Sequence, residues 1–303
     1  MTSGHGGTYP RANFLRDGSI IGACTAFSNG NNVLTLVRST DKGGLWSEIG
    51  TAATAPSNAN DLDNPYPLQL PSSRVLLAYR NHSKNATTGA YLYYRITVSY
   101  SDDNGATWSY LSTPASDPAG VNGNWEPFLR NAADGSLQLY YSRENSAADQ
   151  DSLMRTSTDD GKTWSSATTI SGQGIAARDG MLGVAVVNEH HLIAVFESEQ
   201  GGLFTVHSIT SADDGKTWGN RHRVVGGTLC VSFMTDEDTQ QHASITGADD
   251  KMLTSGDGGA TWGNRLRVFA PQSNWPSLLA LEASSLLYMA DFGGCEAQKV
   301  VLS

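Results

Sequence analysis

Two glutamates stand in surroundings that suit acid–base chemistry. Glu126 lies in Asn124-Trp125-Glu126-Pro127, held by a neighbouring Trp and Pro, and Glu197 lies in Val195-Phe196-Glu197-Ser198. The apolar run before Glu197 would partly desolvate its carboxyl and raise its pKa. A pair of carboxyls with unequal acidity can cleave an acetal: one serves as nucleophile or base and the other donates a proton. The plainer alternative is that both are rim residues hydrogen-bonded to loops. Around them the sequence offers Tyr9, Arg11, Asn64, Trp125, Arg178, Asp179 and Trp275 as substrate-binding candidates. Aromatic faces stack on sugar rings, while carboxylates and amides bind hydroxyls, so this set suits a polysaccharide or oligosaccharide.

A repeated phrase shows what must position these residues. Ser-x-Asp-x-Gly-x-x-Trp occurs at Ser39–Trp46, Ser101–Trp108, Ser157–Trp164, Ser211–Trp218 and Ser255–Trp262. A period of roughly 45–60 residues built from short β-segments implies a propeller. In each copy the Asp can accept backbone N–H bonds while the Gly takes a positive φ, and the Trp can pack beneath the hairpin. This is the Asp-box, which resembles that of sialidases and related propeller glycosidases. Its role is to brace a hairpin; it is neither a calcium site nor a catalytic one.

The blades can be counted independently. Apolar runs at Ile20–Phe27, Val75–His82, Leu137–Glu144, Leu192–Glu199, Leu229–Asp236 and Leu286–Gly293 read as the second strands of six blades. Tyr9-Pro10, Asn64-Pro65, Glu126-Pro127 and Trp275-Pro276 mark the preceding inner strands, with proline expected at a strand's first residue; Asp179-Gly180 takes that place in the fourth blade. The fold expected is therefore all-β, a sialidase-like six-bladed β-propeller forming one domain over residues 1–303. The fifth blade is short. Trp218 is followed by only about ten residues before Leu229, against about 29 in other blades, so its innermost strand is expected to be missing near Val225-Gly226. Such a gap is what an altered or wrongly joined gene product would leave. The N-terminal strand that often closes such a ring is likewise expected to be absent or very short.

In a four-stranded meander the inner-strand starts and second-strand ends share one face, and the Asp-boxes fall on the other. The glutamates and the binding candidates all belong to the first face. The second-strand ends add Arg80, Asn81, His82, Arg143, Glu144, Glu199, Asp236, Glu237 and Asp291 to it.

Composition narrows the partners. A net charge of −10 argues against nonspecific binding to nucleic acid or anionic membranes. No stretch is long and apolar enough to span a bilayer as a helix. Cys24, Cys230 and Cys295 lack metal-like spacing, and Asp236-Glu237-Asp238 reads as a solvated turn, so no metal and no cofactor is expected. The cysteines read as buried thiols, with one disulfide and a leftover Cys as the alternative. Sequons at Asn81 and Asn85 would matter only in a secreted chain.

The strings Tyr9-Pro10-Arg11, Asn124-Trp125-Glu126-Pro127, Ala177-Arg178-Asp179-Gly180-Met181, Val195-Phe196-Glu197 and Val231-Ser232-Phe233-Met234-Thr235-Asp236-Glu237-Asp238 resemble fungal family 93 of the glycoside hydrolases. The likeness covers nearly the whole chain. It implies a retaining, exo-acting enzyme that releases arabinobiose from linear 1,5-α-L-arabinan, with Glu126 as nucleophile and Glu197 as acid/base. It also implies secretion, although no hydrophobic signal segment opens the chain at Met1; a monomer is expected. An exo-sialidase is the enzymatic rival, with Arg11, Arg80 and Arg178 as carboxylate clamps and Tyr288 or Tyr140 as nucleophile. A non-catalytic sugar-binding propeller, or an inactive paralogue, is the third reading.

Overall fold

The computed structural model describes residues 6–120, 123–188, 190–223, 229–238, 247–255, 261–282 and 284–302. Blade 1 comprises β1 (Gly7–Phe14), β2 (Ile20–Ser28), β3 (Asn31–Ser39) and β4 (Ser47–Pro56). Blade 2 follows with β5 (Asn60–Gln69), β6 (Val75–Lys84), β7 (Tyr91–Ser101) and β8 (Ser109–Pro118). Blade 3 has β9 (Asn124–Asn131), β10 (Leu137–Ser146), β11 (Asp149–Ser157) and the short β12 (Thr168–Ser171). Blade 4 has β13 (Arg178–Asn188), β14 (His191–Gln200), β15 (Leu203–Ser211) and β16 (Gly219–Arg223). Each is an antiparallel meander, as short alternating strands joined by tight turns should be. All six second strands begin within a residue of the apolar runs read from the sequence.

The fifth blade is three-stranded among the described residues: β17 (Leu229–Thr235), β18 (Asp249–Ser255) and β19 (Gly263–Phe269) pair in that order. β17 corresponds to the second strands of the other blades, so among the described residues no counterpart of β1, β5, β9 and β13 precedes it. The Val225-Gly226 junction itself lies outside the described residues. Blade 6, with β20 (Asn274–Glu282), β21 (Ser285–Asp291) and β22 (Cys295–Val301), also has three strands among the described residues.

The cores lie between blades. Ile21, Leu34, Leu77 and Tyr79 join blades 1 and 2; Leu76, Ile96, Leu139 and Tyr141 join blades 2 and 3; Tyr140, Met154 and Phe196 join blades 3 and 4. Met252 and Tyr288 join blades 5 and 6, and Ala12, Ile20, Leu287 and Met289 join blade 6 to blade 1. Among the described residues no such cluster joins blades 4 and 5, and Val186 and Val187 near the end of β13 are exposed.

Four described Asp-boxes share one geometry. In the first, Ser39 Oγ donates to Asp41 Oδ1 (2.8 Å), which also accepts the Leu45 N–H (2.8 Å), and the Trp46 indole donates to the Gly43 carbonyl (3.0 Å). The Trp then packs into a seam between blades: Trp108 in the first, Trp164 in the second, Trp218 in the third. The box is thus a brace that pins each hairpin to its neighbour. The fifth copy lies mostly outside the described residues.

One recurring distortion positions the site. Tyr9, Asn64, Glu126, Met181 and Trp275 all have φ between 49° and 54°, each at a β-bulge near the start of an inner strand. In four of the five the next residue is proline, whose missing N–H costs nothing where the ladder is interrupted. This corrects two expectations. The prolines sit inside the strands, at bulges, and not at first residues; and the fourth-blade equivalent is Met181-Leu182, two residues beyond Asp179-Gly180.

Candidate active site

A cavity of about 280 Å³ opens on the face opposite the Asp-boxes, lined by Tyr9, Arg80, Trp125, Glu126, Glu144, Gln150, Arg178, Glu197 and Phe204. Glu126 occupies the bulge of β9, where its left-handed backbone turns it away from ordinary strand alternation. Glu197 comes from β14, paired with Gly180 of β13. The two meet across that glycine. A methyl group added at Gly180 would lie 3.3 Å from Glu126 Oε2, 3.6 Å from Glu197 Oε1 and 2.6 Å from Gln150 Nε2. Only a residue without a side chain leaves the carboxylates face to face.

Their surroundings differ. Glu126 Oε2 accepts the Met181 backbone N–H at 2.6 Å and the Ser142 hydroxyl at 3.4 Å. Burial pushes its pKa up, opposed by that N–H and by the charges of Arg80 and Arg11. Glu197 is pushed up to about 7, first by burial and then by the charge of Glu126, with Arg178 as its one counterweight. The groups that stabilise an anion therefore gather on Glu126, and the shared proton belongs on Glu197.

Two of the cations beside them, Arg80 and Arg178, are already paired with carboxylates. Arg80 bonds Asp61 (3.1 Å) and Asp63 (2.9 Å), and Tyr91 donates to Asp61 at 2.9 Å. Burial alone would raise Asp61, but Arg80 and Tyr91 hold it below the usual carboxylate range. Removing one partner of such a buried group typically costs about 3–5 kcal/mol. Arg178 bonds Glu144 (2.6 Å) and Gln150 (3.1 Å). His82 gives a ring nitrogen to the Asn124 carbonyl (2.7 Å), and burial with Arg80 nearby lowers its pKa to about 3, so it stays neutral.

Of the residues expected from the sequence, Glu126, Glu197, Tyr9, Trp125 and Arg178 line the cavity. Trp275 stands behind Tyr9, their rings 5.0 Å apart, and Arg11 lies 5.9 Å from the same ring. Asn64 is 5% exposed at its bulge, with Oδ1 unpartnered. Asp179 does not reach the cavity. It is 0% exposed, and its carboxylate accepts Arg221 (2.8 Å) and the Ser171 hydroxyl (2.6 Å). Alternation explains this: adjacent strand residues face opposite sides, so with Arg178 inward Asp179 points into the blade. Tyr140 and Tyr288 are fully buried, bonded to Gln138 and to the Lys251 carbonyl, and neither lines the cavity.

Gln150 and Phe204 were not among the expected site residues. They come from the starts of third strands, β11 and β15, which reach the same face as the second-strand ends. Gln150 faces Arg178 where blades 3 and 4 touch, and Phe204 is 65% exposed at the rim. Gly201-Gly202 just before Leu203-Phe204 was the available signal.

The sequence matches the BNR repeat-like domain over residues 112–289, more than half of its length. The chain belongs to that family. Its fold is shared with an α-L-arabinofuranosidase of Fusarium graminearum solved with arabinobiose, at 22% identity and a TM-score of 0.73, covering 99% of this chain and 95% of the other. The α-L-arabinanase of Penicillium chrysogenum, also solved with arabinobiose, gives 18% identity and a TM-score of 0.74 over the same shares. The NanB sialidase of Streptococcus pneumoniae gives 11% and 0.64, covering 100% of this chain and 69% of that one. No curated protein matches the sequence at a significant level. These likenesses establish a sialidase-type propeller; the site must speak for the chemistry.

Proposed function

We propose that this chain is a secreted, retaining glycoside hydrolase, folded as one propeller domain, that releases arabinobiose from the end of linear 1,5-α-L-arabinan. The observation that carries the reading is the carboxyl pair across Gly180, one ringed by anion-stabilising groups and the other protonated near neutral pH. Distances of 3.3 and 3.6 Å from one point keep the two oxygens within about 7 Å, compatible with the roughly 5–5.5 Å of retaining enzymes and with only the lowest end of the roughly 6.5–9.5 Å of inverting ones. The family 93 resemblance of the sequence and the arabinobiose held by two structures of this fold support the choice of sugar.

In this mechanism Met181 N–H and Ser142 hold Glu126 Oε2, and the carboxylate attacks the anomeric carbon. Glu197 gives its proton to the departing glycosidic oxygen. With Glu126 esterified its charge is gone, the pKa of Glu197 falls, and Glu197 can take a proton from the water that releases the sugar. Arg178, whose charge also lowers the pKa of Glu197, helps that second step. Tyr9 and Trp125 offer faces to the sugar, with Arg11, Asn64 and Trp275 supporting the same wall.

The sialidase reading draws less support. Of its three arginine clamps, Arg80 and Arg178 are each neutralised by carboxylates of the chain, which leaves Arg11 alone to hold a substrate carboxylate. Linear arabinan and a sialoside assayed side by side decide the matter. Release of arabinobiose, lost by at least about 10³-fold in Glu126→Gln, is the expected result. Sialic acid release, or sugar binding without hydrolysis, would overturn the proposal.

A further inference from the structure

Two thiols meet where the ring closes. Cys24 belongs to β2 of the first blade and Cys295 opens β22 of the last, and both are 0% exposed. The Cys295 thiol is hydrogen-bonded to Cys24. It also lies 3.6 Å from the Thr8 carbonyl and would stand 2.9 Å from a methyl group placed at Gly7. Cys24 lies opposite the bulge of β1: Thr8 pairs with Thr25 and Arg11 with Ala23, so Tyr9 and Pro10 together span the place across from it. The sulfurs thus share a closed pocket between first and last blades, formed where Gly7 leaves room.

This seam is fastened without a strand ladder. Among the described residues no strand of blade 1 pairs with a strand of blade 6. The junction is held by side-chain packing of Ala12 and Ile20 on Leu287 and Met289, by the Tyr9–Trp275 ring contact, by the Lys42–Glu282 ion pair, and by Ser277 donating to the Pro10 carbonyl at 2.7 Å. Cys230 is elsewhere, half-buried against the cluster of Met252, Leu286 and Tyr288 between blades 5 and 6.

We propose that Cys24 and Cys295 form a disulfide that locks the propeller ring, with Cys230 remaining a free thiol. The oxidant is a small-molecule disulfide such as glutathione disulfide. One protein thiolate attacks it and releases one small thiol; the second protein thiolate then attacks the mixed disulfide and releases the other. Two thiol protons are lost from the protein, one S–S bond forms there, and the oxidant's S–S bond is reduced. Burial and the Cys24 hydrogen bond push the Cys295 thiol well up, which makes it a poor nucleophile once folded. Exchange therefore occurs as the ring closes, and the finished bond is shielded from reductants. Because the two cysteines lie near opposite ends of the chain, the crosslink restricts the unfolded state strongly.

The test refolds the full chain in a mixture of reduced glutathione and glutathione disulfide, then blocks thiols with a maleimide in denaturant. Mass analysis should show one blocked thiol per chain, on Cys230, and a peptide pair joined through Cys24 and Cys295. Cys230→Ser should show no blocked thiol. Reduction of the oxidised protein in denaturant, followed by refolding under reductant, should lower the urea midpoint by about 1 M or more. Three blocked thiols after oxidative refolding, a bridge that includes Cys230, or an unchanged midpoint after reduction would each overturn the proposal. All these comparisons use chains that retain both cysteines, so none depends on a Cys24 variant folding.

Discussion

Gly180→Ala should disable the site while leaving the propeller standing. The backbone of Gly180 lies outside the left-handed region, so alanine can adopt it. The new methyl carbon would stand 2.6 Å from Gln150 Nε2, against an ordinary contact of about 3.5 Å, so one of them must move by about 1 Å. Gln150 cannot move freely: it donates to the Asp179 carbonyl (3.0 Å) and accepts from Arg178 (3.1 Å). Losing both bonds costs about 1–3 kcal/mol in folding stability. The methyl group also sits in contact distance of both carboxylates, 3.3 Å and 3.6 Å away, where in the proposed mechanism Glu126 and the sugar must approach each other. A displacement near 1 Å in such a site lowers the rate about 10²-fold, or about 2.7 kcal/mol in the barrier. The assay is kcat/KM for arabinobiose release from linear arabinan, with a thermal melt on the same preparation. Gly183→Ala is the control, since a methyl group there meets nothing within 4 Å. A folded Gly180→Ala variant that keeps parental kcat/KM would refute the placement of the two carboxylates on either side of this residue.

Two further outcomes follow from the same geometry. Glu197 carries a folded pKa of about 7, above its unfolded value near 4.5, so between those values the folded chain binds the extra proton and stability falls as pH rises. Glu197→Gln removes that penalty: it should stabilise the chain by up to about 3 kcal/mol at pH 8 and by almost nothing at pH 4, read from urea midpoints at both values. Phe204, exposed at the rim, should act as a platform for the sugar chain; Phe204→Ala should raise KM about 3–10-fold and leave kcat nearly unchanged, and a fall in kcat alone would remove it from that role.

Much of the site was legible because propeller blades obey a simple direction rule. Once the Asp-boxes marked one face, Glu126, Glu197, Trp125, Tyr9 and Arg178 were placed on the other, and they line the cavity. The same rule brings the starts of third strands to that face, and they deliver Gln150 and Phe204. Asp179 went astray for a local reason: it neighbours Arg178 on a regular stretch of strand, so it faces Arg221 within the blade. Bulges were invisible as such. Proline betrayed four of them, but Met181 at the fifth has no proline after it, and its N–H is the one that bonds Glu126.

By itself the sequence determined the repeat: turn chemistry in each Asp-box, six apolar second strands, and a fifth blade too short for its inner strand. Those are local properties, set by residue types a few positions apart. Only the tertiary structure decided which carboxyl holds the proton. That depends on a backbone N–H from the next blade, on Arg80 and Arg11 from two others, and on the closeness of Glu126 and Glu197 over a glycine that neither adjoins in the chain. Burial and charge act through space, and no spacing along the sequence encodes them.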